Sequence, residues 1–254
     1  MSLPDTASAV VAQVARRWRQ IDPLLPAAGP AAPDCGTTLV VAEHDAAVAV
    51  GRCEHWTAEP GSVELSWGAA RRFQLSAAVA DPDVTGRLGR LLALWRGHLA
   101  ALPGTGDADT AAVVNWPSRD VDGIERPDTL PALRLQAAGL LAGPSPWTWL
   151  AERDGEAVAM LAAQRPEAAG WIAPMTGLAP AAYLVLMFVR PEDRGSGVAG
   201  ALVDEFHRAA GTAGVAVTLL HYAQLNPLSV PFWSRRGYRP LWTTWQATPA
   251  RSIS

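Results

Sequence analysis

The order of strand and helix signals runs through this chain twice, and few folds tolerate that. After an amphipathic helix over residues 5–20 and a linker, "DPLLPAAGPAAP", the stretch "TTLVVAEHDAAVAVGRCEHWT" reads as two strands around a tight turn at His44-Asp45. "RRFQLSAAVADP" predicts a third strand, "TGRLGRLLALWRGHLAAL" a helix, "AAVVNWPSRD" a strand and "LPALRLQAAGLL" a helix. The same order then returns. "WTWLAERDGEAVAMLAAQ" is strand, Asp154-Gly155 turn, strand. "AAYLVLMFVRP" is a strand stopped by Pro191, and "GVAGALVDEFHRAAGTAG" a helix closed by Gly211 and Gly214. "VAVTLLHY" predicts a strand, "PLSVPFWSRRG" a short helix and "LWTTWQAT" a last strand. Two passes of β-β-β-α-β-α imply a duplicated α+β unit rather than one continuous sheet. The seam falls in "LLAGPSPW", which puts the units at 1–144 and 145–254. The strand at 147–152 fits either side of that seam.

Composition narrows the function classes. At 254 residues and 49% hydrophobic content the chain can bury ample core in one large or two small domains. Its net charge of −3 offers no cationic footprint for nucleic acid. Apolar stretches are short and broken by Arg, Asp, Gly or Pro, so no membrane span is expected, and the N-terminus does not read as a signal peptide. Cys35 and Cys53 form neither a disulfide framework nor a metal motif. A cytoplasmic protein with reduced thiols and no metal is expected.

The chemistry concentrates in "VRPEDRGSGVAGALVDEF", residues 189–206. A strand that enters a helix through a glycine loop aims unpaired N–H groups and the positive end of the helix dipole at one spot. Such a spot suits a phosphate, and Arg194 adds a charge-assisted donor. The loop is neither a Walker A motif nor a dinucleotide fingerprint, because their spacings are absent.

Instead, Arg194-Gly195-Ser196-Gly197-Val198-Ala199, led in by Val189-Arg190-Pro191, resembles the pyrophosphate loop of the GCN5-related N-acetyltransferases (GNAT). A second stretch, "NPLSVPFWSRRGY", resembles that family's next motif through Asn226, Ser229, Arg235, Gly237 and Tyr238. The resemblance covers roughly residues 145–254. It implies two units, each a mixed, mostly antiparallel sheet flanked by helices, the first a degenerate copy. In that copy the loop position reads "ADPDVTGRLGR", without the spacing and with Asp81 and Asp83 opposed to a pyrophosphate.

The resemblance implies acetyl-CoA, or another acyl-CoA, as co-substrate. Met187, Phe188 and Val189 would pair with pantetheine, and Arg194 to Gly200 (Gly195, Ser196, Gly197, Val198 and Ala199 between them) would hold the pyrophosphate. Asn226, Trp233 and Arg235 would complete the cofactor contacts. A backbone N–H of the 186–189 strand would stabilise the oxyanion as an amine attacks the thioester directly. The family's tyrosine acid falls at Trp233, whose indole cannot donate a proton at useful pKa. His221 and Tyr222, at the end of the preceding strand, are the substitutes expected to act in catalysis. No carboxylate within 181–189 serves as base, and Glu152 and Glu156 read as solvated charges. The acceptor expected is a small-molecule or peptide amine, with neither nucleic acid nor membrane as partner; a homodimer is compatible with this reading. Two alternatives stand beside the transferase: an inactive acyl-CoA-binding protein, and a structural or interaction protein with a vestigial loop.

Overall fold

The computed structural model describes residues 3–26, 37–43, 46–63, 71–78, 84–102, 130–142, 146–222 and 226–247. The chain divides into two compact units: Met1–Leu130 with Tyr222–Ser254, and Pro131–His221. Two four-stranded sheets flanked by helices make the α+β class plain. No described helix is long and apolar enough to cross a membrane.

The first unit holds α1 (Leu3–Ile21), β1 (Thr37–Glu43), β2 (Ala46–Thr57), β3 (Arg71–Ala78) and α2 (Val84–Ala100). Phe73, Leu75 and Ala77 alternate along β3 and pack with Leu91, Trp95 and Leu99 of α2. The opposite face, through Val50 and Ala78, meets Val14 and Trp18 of α1. The strand expected over "AAVVNWPSRD", the turn His44-Asp45, and Asp81 and Asp83 lie outside the described residues.

One reading needs correction. The last strand, β8 (Trp242–Ala247), was expected to finish the second unit, yet it runs antiparallel to β3 of the first. Pairing extends from Phe73↔Ala247 to Ala78↔Trp242, with the Ser76 and Thr244 hydroxyls 3.0 Å apart. Trp245 joins the α2-side core, while Trp242 meets Trp18 edge-on at 5.6 Å. Two aromatic anchors on opposite faces hold β8 in register. The sheet order is therefore β1-β2-β3-β8, all antiparallel. The short helix α5 (Ser229–Arg235) precedes β8 in the same unit.

The second unit opens with α3 (Leu130–Leu141), which has no buried residue and ends two residues beyond the expected Gly139. β4 (Thr148–Arg153) and β5 (Glu156–Gln164) form a hairpin, so the strand near 147–152 opens the second sheet rather than closing the first. Asp154 (φ 54°) and Gly155 (φ 81°) make its turn. β6 (Ala181–Val189) pairs antiparallel with β5, and β7 (Val217–Leu220) runs parallel to β6. Between them α4 (Val198–Thr212) buries Leu202, Val203, Phe206 and Ala210, one helical face. Fully buried Phe206 meets Trp147 and Trp149 edge-on at 6.0 and 6.1 Å. That face contributes roughly 1.5–3 kcal/mol per large side chain and fixes where the N-terminus of α4 points.

Candidate functional site

Two features of β6 build the site. The first is its edge. β6 pairs with β7 only from Ala181↔Val217 to Leu184↔Leu220, although β6 itself runs on to Val189. On the other side it stays bonded to β5 as far as Ala159↔Val189. β7 ends at Leu220, so the backbone of Val185–Val189 has no strand partner on the β7 side among the described residues. A bulge sits where that pairing ends: Ala162 faces Leu186 and Ala163 faces Leu184, so Val185 is the extra residue. Met187, Phe188 and Val189, the residues expected to meet pantetheine, all lie on this open segment.

The second feature is the loop that follows. Pro191–Asp193 form a 3-10 turn, Arg194 is extended, and Gly195 and Gly197 adopt φ of 78° and 88°. An L side chain rarely accepts either value, which is why glycine alternates here. Gly197 caps α4, so the amides of Val198, Ala199 and Gly200 begin the helix with no carbonyl one turn back to receive them. Ser196 Oγ donates to the Asp193 carbonyl at 2.6 Å, and Ala201 N–H donates to that of Gly197 at 3.1 Å. Arg194, Gly195, Ser196 and Gly197 are exposed. An ideal Cβ on either glycine would meet nothing within 4 Å. The structure thus presents an open, positively poled helix start of the kind the sequence foretold.

Sequence reasoning missed how this loop carries its own acids. Asp193 is buried, 3% exposed, and is held by Arg153 from the β4–β5 turn and by Arg190, whose Nε lies 3.1 Å from Oδ2. Arg190 also pairs with Glu192 at 2.9 Å and with Glu156 at 3.0 Å. The loop acids Glu192 and Asp193 are therefore paired with arginines. Glu156, expected to be merely solvated, takes part in this network. The signal was faint: an arginine three residues before an aspartate, "RPED".

His221, the residue after β7, has its Nδ1 2.9 Å from the Tyr183 hydroxyl. Its ring lies nearly parallel to that of Trp171, 13° between planes and 6.3 Å between centres. Trp171 meets Tyr183 edge-on at 4.9 Å and donates through Nε1 to Gln164 Oε1 at 2.9 Å. His221 is exposed at the strand end, with its ring set against those of Trp171 and Tyr183. Loss of water around the ring pushes the imidazole pKa down, so His221 is neutral near pH 7. Burial likewise pushes the Tyr183 phenol up. Neither Tyr183 nor Trp171 was anticipated, although a lone tyrosine in the aliphatic run "AAYLVLMFV" is an anomaly a reader could question.

The remaining expected residues, Tyr222, Asn226, Trp233 and Arg235, fall in the first unit. Tyr222 is half-buried, with its phenol pKa raised by burial. Asn226 is buried, and its Oδ1 accepts from the N–H groups of Leu228 (3.0 Å) and Ser229 (3.3 Å), starting α5. Trp233 is buried edge-on against Phe232 at 4.8 Å and Tyr238 at 5.3 Å. Arg235 is exposed in the last turn of α5.

Against known families, residues 144–240 match the acetyltransferase (GNAT) domain model. This segment is a GNAT acetyltransferase domain. The match spans β4 to β7, the glycine loop and α5. No curated protein sequence matches the chain. Among solved structures, an aminoglycoside 6'-N-acetyltransferase from Acinetobacter haemolyticus is 24% identical, over 46% of this chain and 78% of that one, at a TM-score of 0.38. The aminoglycoside N-acetyltransferase AAC(6')-Iy, solved in complex with CoA, is 19% identical over 60% of this chain and 84% of its own, at 0.39. A ribosomal-protein-alanine N-acetyltransferase from Brucella melitensis biovar Abortus 2308 is 19% identical over 45% and 75%, at 0.32. Their differing acceptors are properties of those proteins. The GNAT family's donor is acetyl-CoA, and among the described residues no cluster of three His, Cys, Asp or Glu is placed to hold a metal.

Proposed function

We propose that the GNAT domain transfers an acyl group, acetyl by default, from acyl-CoA to a primary amine by direct attack. The observation that carries this reading is the continuity of the open β6 edge with the glycine loop at the start of α4. The amides of Gly195 to Gly200 and the Arg194 guanidinium receive the pyrophosphate. Pantetheine carries two amides and pairs with Met187, Phe188 and Val189 along the unpaired edge. Its arm from phosphate to sulfur is as long as roughly four residues of extended chain. Counted from Val189, the end of β6 next to the loop, four residues reach the bulge at Val185, where this reading puts the thioester. A β6 N–H there polarises the carbonyl and stabilises the oxyanion. The amine nitrogen bonds to the carbonyl carbon, the C–S bond breaks with its electron pair going to sulfur, and the amine proton leaves to water.

His221 and Tyr222 are the candidates for assisting the leaving thiolate, which departs readily because a thiol of pKa about 8.5 is a good leaving group. The acceptor is a small-molecule or peptide amine.

CoA is assigned to the second unit alone: among the described residues of the first unit, β3 is paired with β8 from Phe73 to Ala78 and leaves no open edge there for a pantetheine arm. A second reading, an acyl-CoA-binding protein without turnover, draws on one observation: buried Trp233 stands where the family places an acidic phenol. Calorimetry with acetyl-CoA should give one site per chain, and two equivalent sites would refute the assignment. A thiol-release assay across small amines, aminoglycosides and peptide N-termini separates the two readings, since binding without release supports the second.

A further inference from the structure

The Tyr183–His221 pair belongs to neither family motif, and it stands where the β6–β7 pairing ends. In the parallel ladder Tyr183 is opposite Leu219, and His221 lies two residues on, so both side chains share one face. His221 directly follows the last paired position, Leu184↔Leu220, and Tyr183 comes two residues before the bulge at Val185. The pair therefore flanks the point that the length of the pantetheine arm assigns to the thioester.

The hydrogen bond fixes the chemistry of the imidazole. Tyr183 is buried, and its hydroxyl makes this one hydrogen bond among the described residues. A buried O–H without an acceptor costs roughly 1–3 kcal/mol, so the proton points at Nδ1. A neutral imidazole that accepts at one nitrogen carries its proton on the other. Trp171, anchored through Gln164, backs the ring and sets its plane.

We propose that Tyr183 is a positioning residue that holds His221 as the neutral tautomer protonated at Nε2, and that His221 serves transfer as a hydrogen-bond donor rather than as the base for the amine. This rests on the acyl-transfer reading above. The suppressed basicity of the ring and the raised pKa of the phenol agree with a neutral O–H···N bond. As the C–S bond breaks and its electron pair passes to sulfur, Nε2–H stabilises the thiolate without surrendering its proton. The amine proton goes to water.

Nitrogen NMR of the full-length protein, labelled in histidine, tests the tautomer directly. His221 should show Nδ1 bare and Nε2 protonated, and Tyr183→Phe should convert this to a mixture. A wild-type spectrum with Nδ1 protonated overturns the proposal. Kinetics with acetyl-CoA and the best amine of the panel test the role. His221→Gln keeps a side-chain N–H and should stay within about tenfold of wild-type kcat. His221→Ala should lose about a hundredfold, with KM for acetyl-CoA unchanged. Equal losses in the two variants would mean a base and would sink the donor role. If acetyl-CoA binds but no amine is acetylated, the transfer reading fails and takes the donor role with it, while the spectrum still decides the tautomer.

Discussion

Placing a carboxylate at Gly197 should abolish acetyl-CoA binding at a modest cost in stability. Gly197 has φ of 88°, so any L residue there strains the backbone by about 1–2 kcal/mol. Nothing lies within 4 Å of the Cβ it would carry, so no clash adds to that cost. Gly214 offers a matched control: φ is 69°, its Cβ would also be free within 4 Å, and it lies past the far end of α4. For binding the arithmetic differs. The side chain introduced by Gly197→Glu would stand over the first amides of α4 and put a negative charge where the pyrophosphate is held. Losing two charge-assisted bonds at about 1.5–3 kcal/mol each weakens affinity by about two to four orders of magnitude. Calorimetry with acetyl-CoA alongside thermal melts reads both quantities. Gly197→Ala, Gly197→Glu and Gly214→Ala should melt slightly below wild type, to similar extents. Gly197→Glu should lose binding, Gly197→Ala should weaken it, and Gly214→Ala should bind as wild type does. A folded Gly197→Glu that binds acetyl-CoA as wild type does would refute the loop assignment, and so would equal loss of binding in Gly214→Ala.

Two further outcomes follow from the first unit. Trp233 packs edge-on between Phe232 and Tyr238, so Trp233→Phe should keep most activity, whereas Trp233→Ala should cost about 3–5 kcal/mol by melts. Trp233→Tyr should give at most a modest gain in kcat; a hundredfold gain would show that the natural protein lacks its acid and would favour the binding reading. Asp22 is buried beside α1, where it accepts from Arg239 at 2.7 Å and from the Leu24 amide at 3.0 Å. The Arg239 hydrogen bond, chiefly, holds its pKa below the usual carboxylate range despite burial. Its stabilisation is fully present above the unfolded value of about 3.9 and disappears as pH falls through the lower native value. Asp22→Asn should therefore lower stability near neutral pH by about 1 kcal/mol, a figure held down because Arg239 is half in solvent. Denaturant melts of the two proteins should converge in acid; a gap that persists below pH about 2 would show that the contribution is not the carboxylate's charge.

Much of the site was legible in the sequence because its signals are local. A glycine that must adopt positive φ, a helix start and a strand stopped by proline are each settled within a few residues, so the glycine loop from Arg194 into α4 could be read from the sequence. Elements were legible for the same reason: α4 shows its face at Leu202, Val203 and Phe206, and the hairpin of β4 and β5 shows its turn at Asp154-Gly155. Strand partnership is different. The pattern of "LWTTWQAT" says that Trp242 and Trp245 must pack against something, but the same pattern satisfies any sheet edge of complementary shape. Only the tertiary structure decided that β8 belongs beside β3, where Trp18 on one face and the α2 core on the other receive its tryptophans. The Tyr183–His221 bond is of the same kind. It joins residues 38 apart in sequence, made neighbours by a parallel pairing that a helix crossover interposes and no local pattern announces. Buried Asp193 needs Arg153, 40 residues away, to be tolerable at the loop. Short-range backbone preferences thus determined the glycine loop that enters α4, and long-range packing determined which edge of β6 stayed open beside it and which side chains met there.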